Sequence, residues 1–253
     1  MKLKVLGCYG GNIPGHGMTS LLLNDTVALD AGWVSGALSL KDQEKVKDIF
    51  ISHSHLDHTC TLPFLIDNNF SAPGFSLRIY AIPEVVASMK NHLFNKITWP
   101  DFTSLPNDLT PVLKLVEVAP EESVVVNGLT IRPVLVSHLV PTTGFIVEDK
   151  KCSIAFSSDT GPTQRFWEIV NGLKNLKGVI TETSFPNEFQ DLADVSGHLT
   201  PSTLDVELGK LKKDVPVYLY GGKPKHLKAI KKQVAALKRK KLTFLEQGKT
   251  YRF

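Results

Sequence analysis

Four side chains of metal-ligand type, His53, His55, Asp57 and His58, fall within six consecutive positions. The apolar run Ile49, Phe50 and Ile51 predicts a short strand over 48–52 just before them, and residues two apart on an extended segment leave it on the same side. His53 and His55 can therefore grip one ion together. Asp57 and His58 follow where the chain turns into a predicted helix over 61–68, so they can reach a second ion nearby. Imidazole with carboxylate suits zinc, and also manganese or iron. Two more candidates stand where loops leave strands: His138 after the β-rich run 134–137, and Asp159 after 154–158. A lone histidine is more often a surface or core residue. Four ligand types clustered at a strand end, with two more at later strand ends, indicate a metal centre of one or two ions.

The elements that must position these groups read as follows. Lys2 to Leu6 alternates polar and apolar residues and runs into Gly7, Gly10 and Gly11. Strands are predicted over 20–23 and 26–30, joined by an Asn24-Asp25 turn, and over 77–81, 113–118, 123–126, 129–136, 143–148, 153–157, 178–183 and 215–220. Asn127-Gly128 signals a further hairpin. Helices are predicted over 41–47, 61–68, from Pro83, over 164–171, over 201–211 and, strongly basic, over 225–240. Residues 95–111, with Trp99-Pro100-Asp101-Phe102 and two further prolines, read as a loop or insertion. Strand runs interleaved with helices in two series predict an α/β architecture of two sheets packed on each other, with helices outside. No repeat or linker divides the 253 residues, so a single domain over 1–253 is expected.

Composition narrows the class. With 42% hydrophobic, 21% charged and 8% aromatic residues, the chain reads as an ordinary globular protein and neither disordered nor collagen-like. Cys8, Cys60 and Cys152 form no CxxC pair, which argues against a disulfide framework or a Cys-rich zinc site. No run is apolar enough for a membrane span and the start lacks a signal-peptide pattern, so a cytoplasmic protein is expected. The net charge of +4 is uneven: from Lys223 onward eleven Lys or Arg face one acid, Glu246, leaving the preceding residues at −6. Leu227, Ile230, Val234 and Leu237 form an apolar stripe at helical spacing, so the lysines around them read as the solvated face of a packed helix.

In this order the motifs resemble the metallo-β-lactamase superfamily, which implies an αββα sandwich of two mixed β-sheets flanked by helices, and other segments narrow the resemblance. These are Gly10-Gly11, Ile97-Thr98-Trp99-Pro100-Asp101-Phe102, Ser158-Asp159-Thr160-Gly161-Pro162, Glu182-Thr183-Ser184-Phe185-Pro186 and Ser196-Gly197-His198-Leu199-Thr200-Pro201. Together with His-x-His-Leu-Asp-His they look like the class II cyclic-nucleotide phosphodiesterases, over nearly the whole chain. The resemblance implies that His53, His55 and His138 hold one ion, Asp57 and His58 the other, and that Asp159 bridges them. It implies hydrolysis of a 3′,5′-cyclic nucleotide such as cAMP or cGMP to the 5′-monophosphate, with hydroxide generated at the metal attacking phosphorus. By similarity to the related tRNA 3′-processing phosphodiesterases, Glu182 would orient His198 as general acid for the departing ribose oxygen. Alternatively, Thr200-Pro201 simply begins a helix without using His198.

One departure stands out. The family supplies a last histidine just before a Lys-Pro pair, and here the stretch reads Tyr220-Gly221-Gly222-Lys223-Pro224. His226 is a candidate substitute, or else a solvent-facing residue. Trp99 and Phe102 offer faces for a purine, or else anchor the insertion in the core; Thr142, Thr143 and the Gly10-Gly11 turn are candidate donors to phosphate. Nothing in the residues selects adenine over guanine. Rival readings are an RNA phosphodiesterase of the tRNA-processing kind, and a nucleotide-binding protein that has lost catalysis with its last ligand. The acidic body and the lack of a glycine-rich arm count against nucleic acid. A homodimer is what the resemblance implies for assembly.

Overall fold

The computed structural model describes residues 1–253. Fourteen strands form two seven-stranded sheets. The first holds β1 (Lys2–Gly7), β2 (Ser20–Leu23), β3 (Val27–Leu29), β4 (Asp48–Phe50), β5 (Leu77–Ala81) and β6 (Leu113–Glu117). The second holds β7 (Val124–Val126), β8 (Leu129–Leu135), β9 (Thr143–Glu148), β10 (Ser153–Phe156), β11 (Leu176–Glu182), β12 (Val217–Tyr220) and β13 (Leu242–Phe244). A last strand, β14 (Thr250–Arg252), returns to the first sheet and pairs antiparallel with β1. From β3 to β6 and from β10 to β13 the strands are parallel; the rest are antiparallel, so both sheets are mixed.

Helices α1 (Val34–Ala37), α2 (Leu40–Gln43), α3 (Leu56–Thr59), α4 (Leu62–Asn69) and α5 (Pro83–Ser88) belong to the first half, and α6 (Arg165–Gly172), α7 (Gln190–Ser196), α8 (Pro201–Leu208) and α9 (Leu227–Ala236) to the second. Period-two alternation sorts the strand residues between layers. Phe50 and Tyr80 turn inward to meet Phe145, Phe156 and Ile180 of the facing sheet, while Ile49 and Ile79 pack outward among residues of α1, α4 and α5. Ala155, Val179 and Leu219 likewise pack outward with Phe166, Leu204 and Ile230 of α6, α8 and α9. Three apolar layers thus separate four structural layers, the αββα arrangement expected from the sequence.

Both expected hairpin turns have two residues with positive φ, Asn24 and Asp25 at 47° and 64° and Asn127 and Gly128 at 48° and 76°, which matches the twist of the strands they join. The Asn127 turn also braces the two sheets: its side-chain amide donates to the buried Asp48 carboxylate, which accepts from Arg78 and the Tyr80 hydroxyl as well. Residues 95–111 carry no helix or strand, as read from the sequence. The basic helix is shorter than expected. Pro224–His226 form a separate 3₁₀ turn before it, and Lys238, at φ 53°, ends it early. The short elements α1, α7, β13 and β14 were not among the expected ones. No helix is long and apolar enough to cross a membrane.

Candidate active site

The ligand-type residues converge because the strands that carry them end along one edge of the sandwich. Asp30 follows β3, His53 and His55 follow β4, His138 follows β8, Asp159 follows β10, and Glu182 and Tyr220 close β11 and β12. Parallel strands bring their carboxyl ends to the same edge, and β8 is brought into that sense by the antiparallel β9 between it and β10. Ser158, at φ 55°, turns the chain so that Asp159 points back over the strand ends.

Three ligand groupings result, each with its atoms within 4.8 Å of one another: His53, His55 and His138; His53, His58 and Asp159; and His138, Asp159 and His198. Asp159 shares groupings with both His58 and His138. Hydrogen bonds set the imidazole tautomers. The Ser52 hydroxyl donates to Asp30, so the His53 Nδ1–H must donate to Ser52 Oγ at 2.9 Å, which frees His53 Nε2 for a ligand. His138 Nδ1–H donates to the Gly197 carbonyl at 2.8 Å, and His58 Nδ1–H to Asp30 at 2.7 Å. Gly197, at φ 65°, is held to glycine by this contact, since a Cβ there would lie 3.0 Å from His138 Nδ1.

Charge follows the same pattern. Burial pushes the pKa of His53 well below the ordinary imidazole value and lowers that of His55, so both are neutral and ready to donate lone pairs. For His58 burial acts in the same direction, but the charges of Asp159 and Asp30, with the Asp30 hydrogen bond, more than reverse it. Burial would raise Asp159, and the neighbouring His58, His198 and His53 instead hold it well below the usual carboxylate range. Tyr220 donates to its second oxygen at 3.2 Å. His58 Nε2 is buried without a hydrogen-bond partner, 3.3 Å from Asp159 Oδ2. An orphaned imidazole nitrogen facing a carboxylate, among three further imidazoles, fits a divalent cation.

Asp57 stands beside these groupings. Half-buried and without a side-chain hydrogen bond, it reaches His55 through its charge alone. Asp57 and His58 are consecutive on α3, and only His58 joins a ligand grouping. At the expected last-ligand position, Gly222 has no side chain to offer, and a Cβ there would meet Leu227 Cδ2 at 2.7 Å. His226 does not substitute: its ring packs on Phe189 at 4.8 Å and joins no ligand grouping.

Beside the ligands lies a second pair. His198 Nδ1 is 2.7 Å from Glu182 Oε1, and Glu182 is fully buried, accepting also from the Ser184 hydroxyl and the Thr160 N–H. Burial opposes protonation of His198, but Glu182 and then Asp159 raise its pKa to about 9, with Lys223 pulling weakly the other way. Capping of α8 does not engage His198, because Thr200 and Thr203 form the capping box. Of the residues considered for substrate, Phe102 is buried with Phe70 and Phe94 and anchors the insertion, whereas half-buried Trp99 lies edge-on to Phe64. Thr142 and Thr143 hydroxyls are committed to the Val140 and Ser52 carbonyls and are not free donors. Asp30, Ser52, Tyr220 and Lys223 were not expected at the site; for Asp30 the available signal was a carboxylate ending an apolar strand.

A family model described as cAMP phosphodiesterases class-II matches residues 38–242. A probable 3′,5′-cyclic-nucleotide phosphodiesterase of Yersinia pestis is 28% identical over 213 residues, 78% of this chain and 58% of the relative. The chain thus spans under two thirds of that protein's length. Among solved structures, unliganded yeast PDE1 aligns with a TM-score of 0.82 at 20% identity over 98% of both chains. The metallo-β-lactamase fold protein YhfI of Bacillus subtilis aligns at 0.78 and 17% over 99% of both. The sandwich is therefore a metallo-β-lactamase fold.

Proposed function

The chain belongs to the class-II cAMP phosphodiesterases, and from that premise we propose that residues 1–253 act as one metallo-hydrolase unit that opens 3′,5′-cyclic nucleotides to 5′-monophosphates. The observation that carries this reading is the Glu182–His198 pair at 2.7 Å on the rim of the ligand cluster, with His198 sharing a grouping with His138 and Asp159. A proton donor is thereby held beside a cage for divalent cations. Hydrolysis of a cyclic diester needs both.

His53, His55, His138, His58 and Asp159 would hold the metal, taken as zinc on the imidazole and carboxylate donors, with Asp57 as the further carboxylate for a second ion. When bound, such an ion supplies positive charge for the phosphoryl oxygens and makes an attacking water acidic. The chain's own residues do the rest. Asp30 and the Ser52 hydroxyl fix the His58 and His53 rings, and Gly197 fixes His138. As the P–O3′ bond breaks, protonated His198 donates its proton to the departing 3′-oxygen, and Glu182 stabilises and orients the imidazolium. The attacking oxygen stays on phosphorus, which leaves the 5′-monophosphate.

The free, unpaired state of all three cysteines supports a cytoplasmic setting, and the family resemblance supports a homodimer. The test is a hydrolysis panel of cAMP, cGMP, bis(nitrophenyl) phosphate and pre-tRNA with metal content measured on the same sample. Cyclic nucleotides should be opened to 5′-monophosphates. Metal-loaded protein that opens none of them sinks the proposal, and pre-tRNA cleavage alone would replace it.

A further inference from the structure

The glycines at 221 and 222 do more than omit a ligand. Gly221, at φ 81°, donates its N–H to the Cys8 carbonyl, and its own carbonyl lies 2.4 Å from where a Cβ on Gly10 would sit. Two glycine turns are thus packed backbone to backbone at the mouth of the site. Across this junction runs the side chain of Lys223, with Cδ and Nζ 3.3 and 3.2 Å from the same Gly10 position. Any larger residue at position 10 would displace it.

The Lys223 ammonium, on a half-buried residue, enters no ion pair and donates no hydrogen bond. It lies 5.9 Å from the centroid of the Phe185 ring, which in turn lies 5.7 Å from that of His198. The Lys223 N–H is fixed to the carbonyl of Ser184, the same residue whose hydroxyl holds Glu182. Beneath the lysine, the N–H groups of Gly10 and Gly11 donate to nothing in the chain. The loop that presents them is pinned where the Gln247 side chain accepts from the Gly17 N–H at 2.7 Å. A fixed cation without a counter-charge and two free amide donors, beside the proton donor, make a receptor for an anionic oxygen.

We propose that Lys223, together with the Gly10 and Gly11 amides, binds a phosphoryl oxygen of the substrate and of its monophosphate product. The inference rests on the phosphodiesterase reading, and its test is chosen to separate the two.

Inorganic phosphate is titrated calorimetrically into metal-loaded protein, comparing the parent chain with Lys223→Gln and Lys223→Arg, with metal content and melting temperature measured on each. Lys223→Gln should weaken phosphate about tenfold or more, and Lys223→Arg by less than about threefold, with metal content and melting temperature unchanged. The difference between the parent and Lys223→Gln should shrink at high salt. In cAMP turnover Lys223→Gln should raise KM and relieve inhibition by the product. Parent-like phosphate affinity in Lys223→Gln overturns the proposal, and so does an equal loss in Lys223→Arg accompanied by lost metal. Phosphate binding that depends on Lys223 in a chain that opens no cyclic nucleotide would uphold this site and refute the phosphodiesterase reading instead.

Discussion

His198→Ala should separate substrates by how much help their leaving group needs. Glu182 and Asp159 lift His198 from the ordinary 6.5 to about 9, which at 1.36 kcal/mol per unit is about 3 kcal/mol in favour of the imidazolium. A positioned donor of this kind contributes roughly 10²–10⁴-fold to rate. A ribose 3′-oxygen is a poor leaving group and needs the whole effect. A nitrophenolate leaves without protonation and needs almost none. Loss of His198 should therefore cost roughly 10²–10⁴-fold in kcat on cAMP and less than about tenfold on bis(nitrophenyl) phosphate. Glu182→Gln keeps the shape but removes the charge that sustains the imidazolium, and it should fall between, at about 10–100-fold on cAMP. Steady-state rates on both substrates, at equal measured metal content, provide the assay. Equal losses on the two substrates would refute His198 as the acid and assign it to the metal or to substrate binding.

Other expectations concern the support of the site and the fold. Asp30→Asn removes the carboxylate that sets the His58 tautomer and should weaken metal affinity about 10–100-fold in a chelator competition. Asp57→Asn should lower metal stoichiometry toward one ion while leaving the first ion in place, measured by elemental analysis. Glu207, buried between α6 and α8, accepts from the Trp167 indole, the Thr163 N–H and Lys210. Glu207→Ala should cost about 2–4 kcal/mol in denaturant unfolding, with the ligand cluster intact. Partial burial opposes ionisation of Asp149, yet the Lys151 and Cys152 N–H groups pull its pKa down to about 2. Its stabilisation is present above the unfolded value of about 4 and is lost as pH falls through about 2. Asp149→Asn should thus flatten the acid limb of the stability curve there, by on the order of 1 kcal/mol after solvent screening.

The chemistry was most legible where it is local. His53 through His58 announce a ligand cluster by spacing alone, and His138 and Asp159 by falling just past predicted strands. Asp30 could not be found this way. It becomes a partner of His58 only because β3 and β4 pair in parallel with Leu29 opposite Phe50, which sets it against Ser52. Lys223 was read as the first residue of a basic tail, and its place over Gly10 exists only once two distant glycine turns meet. Conversely, His226 lay near in sequence but was carried away by the Pro224 turn. Two packed sheets with helices outside followed from strand runs interleaved with helices in two series. Short β14, Thr-Tyr-Arg, has no pattern of its own and is a strand because β1 offers it an edge.

That edge bears on how the chain folds during synthesis. β1 is made long before β14, yet its outer side is covered only by β14, whose register joins Lys2 to Arg252, and by the Val5 and Lys249 bonds just before it. Gln247, which pins the glycine turn beneath Lys223, lies in the same final stretch. Until those residues leave the ribosome, β1 presents an open, apolar strand edge able to pair with another chain. The nascent chain is consequently exposed to aggregation at a stage when its candidate metal ligands are already synthesised but the floor of the proposed phosphate site has yet to be fastened.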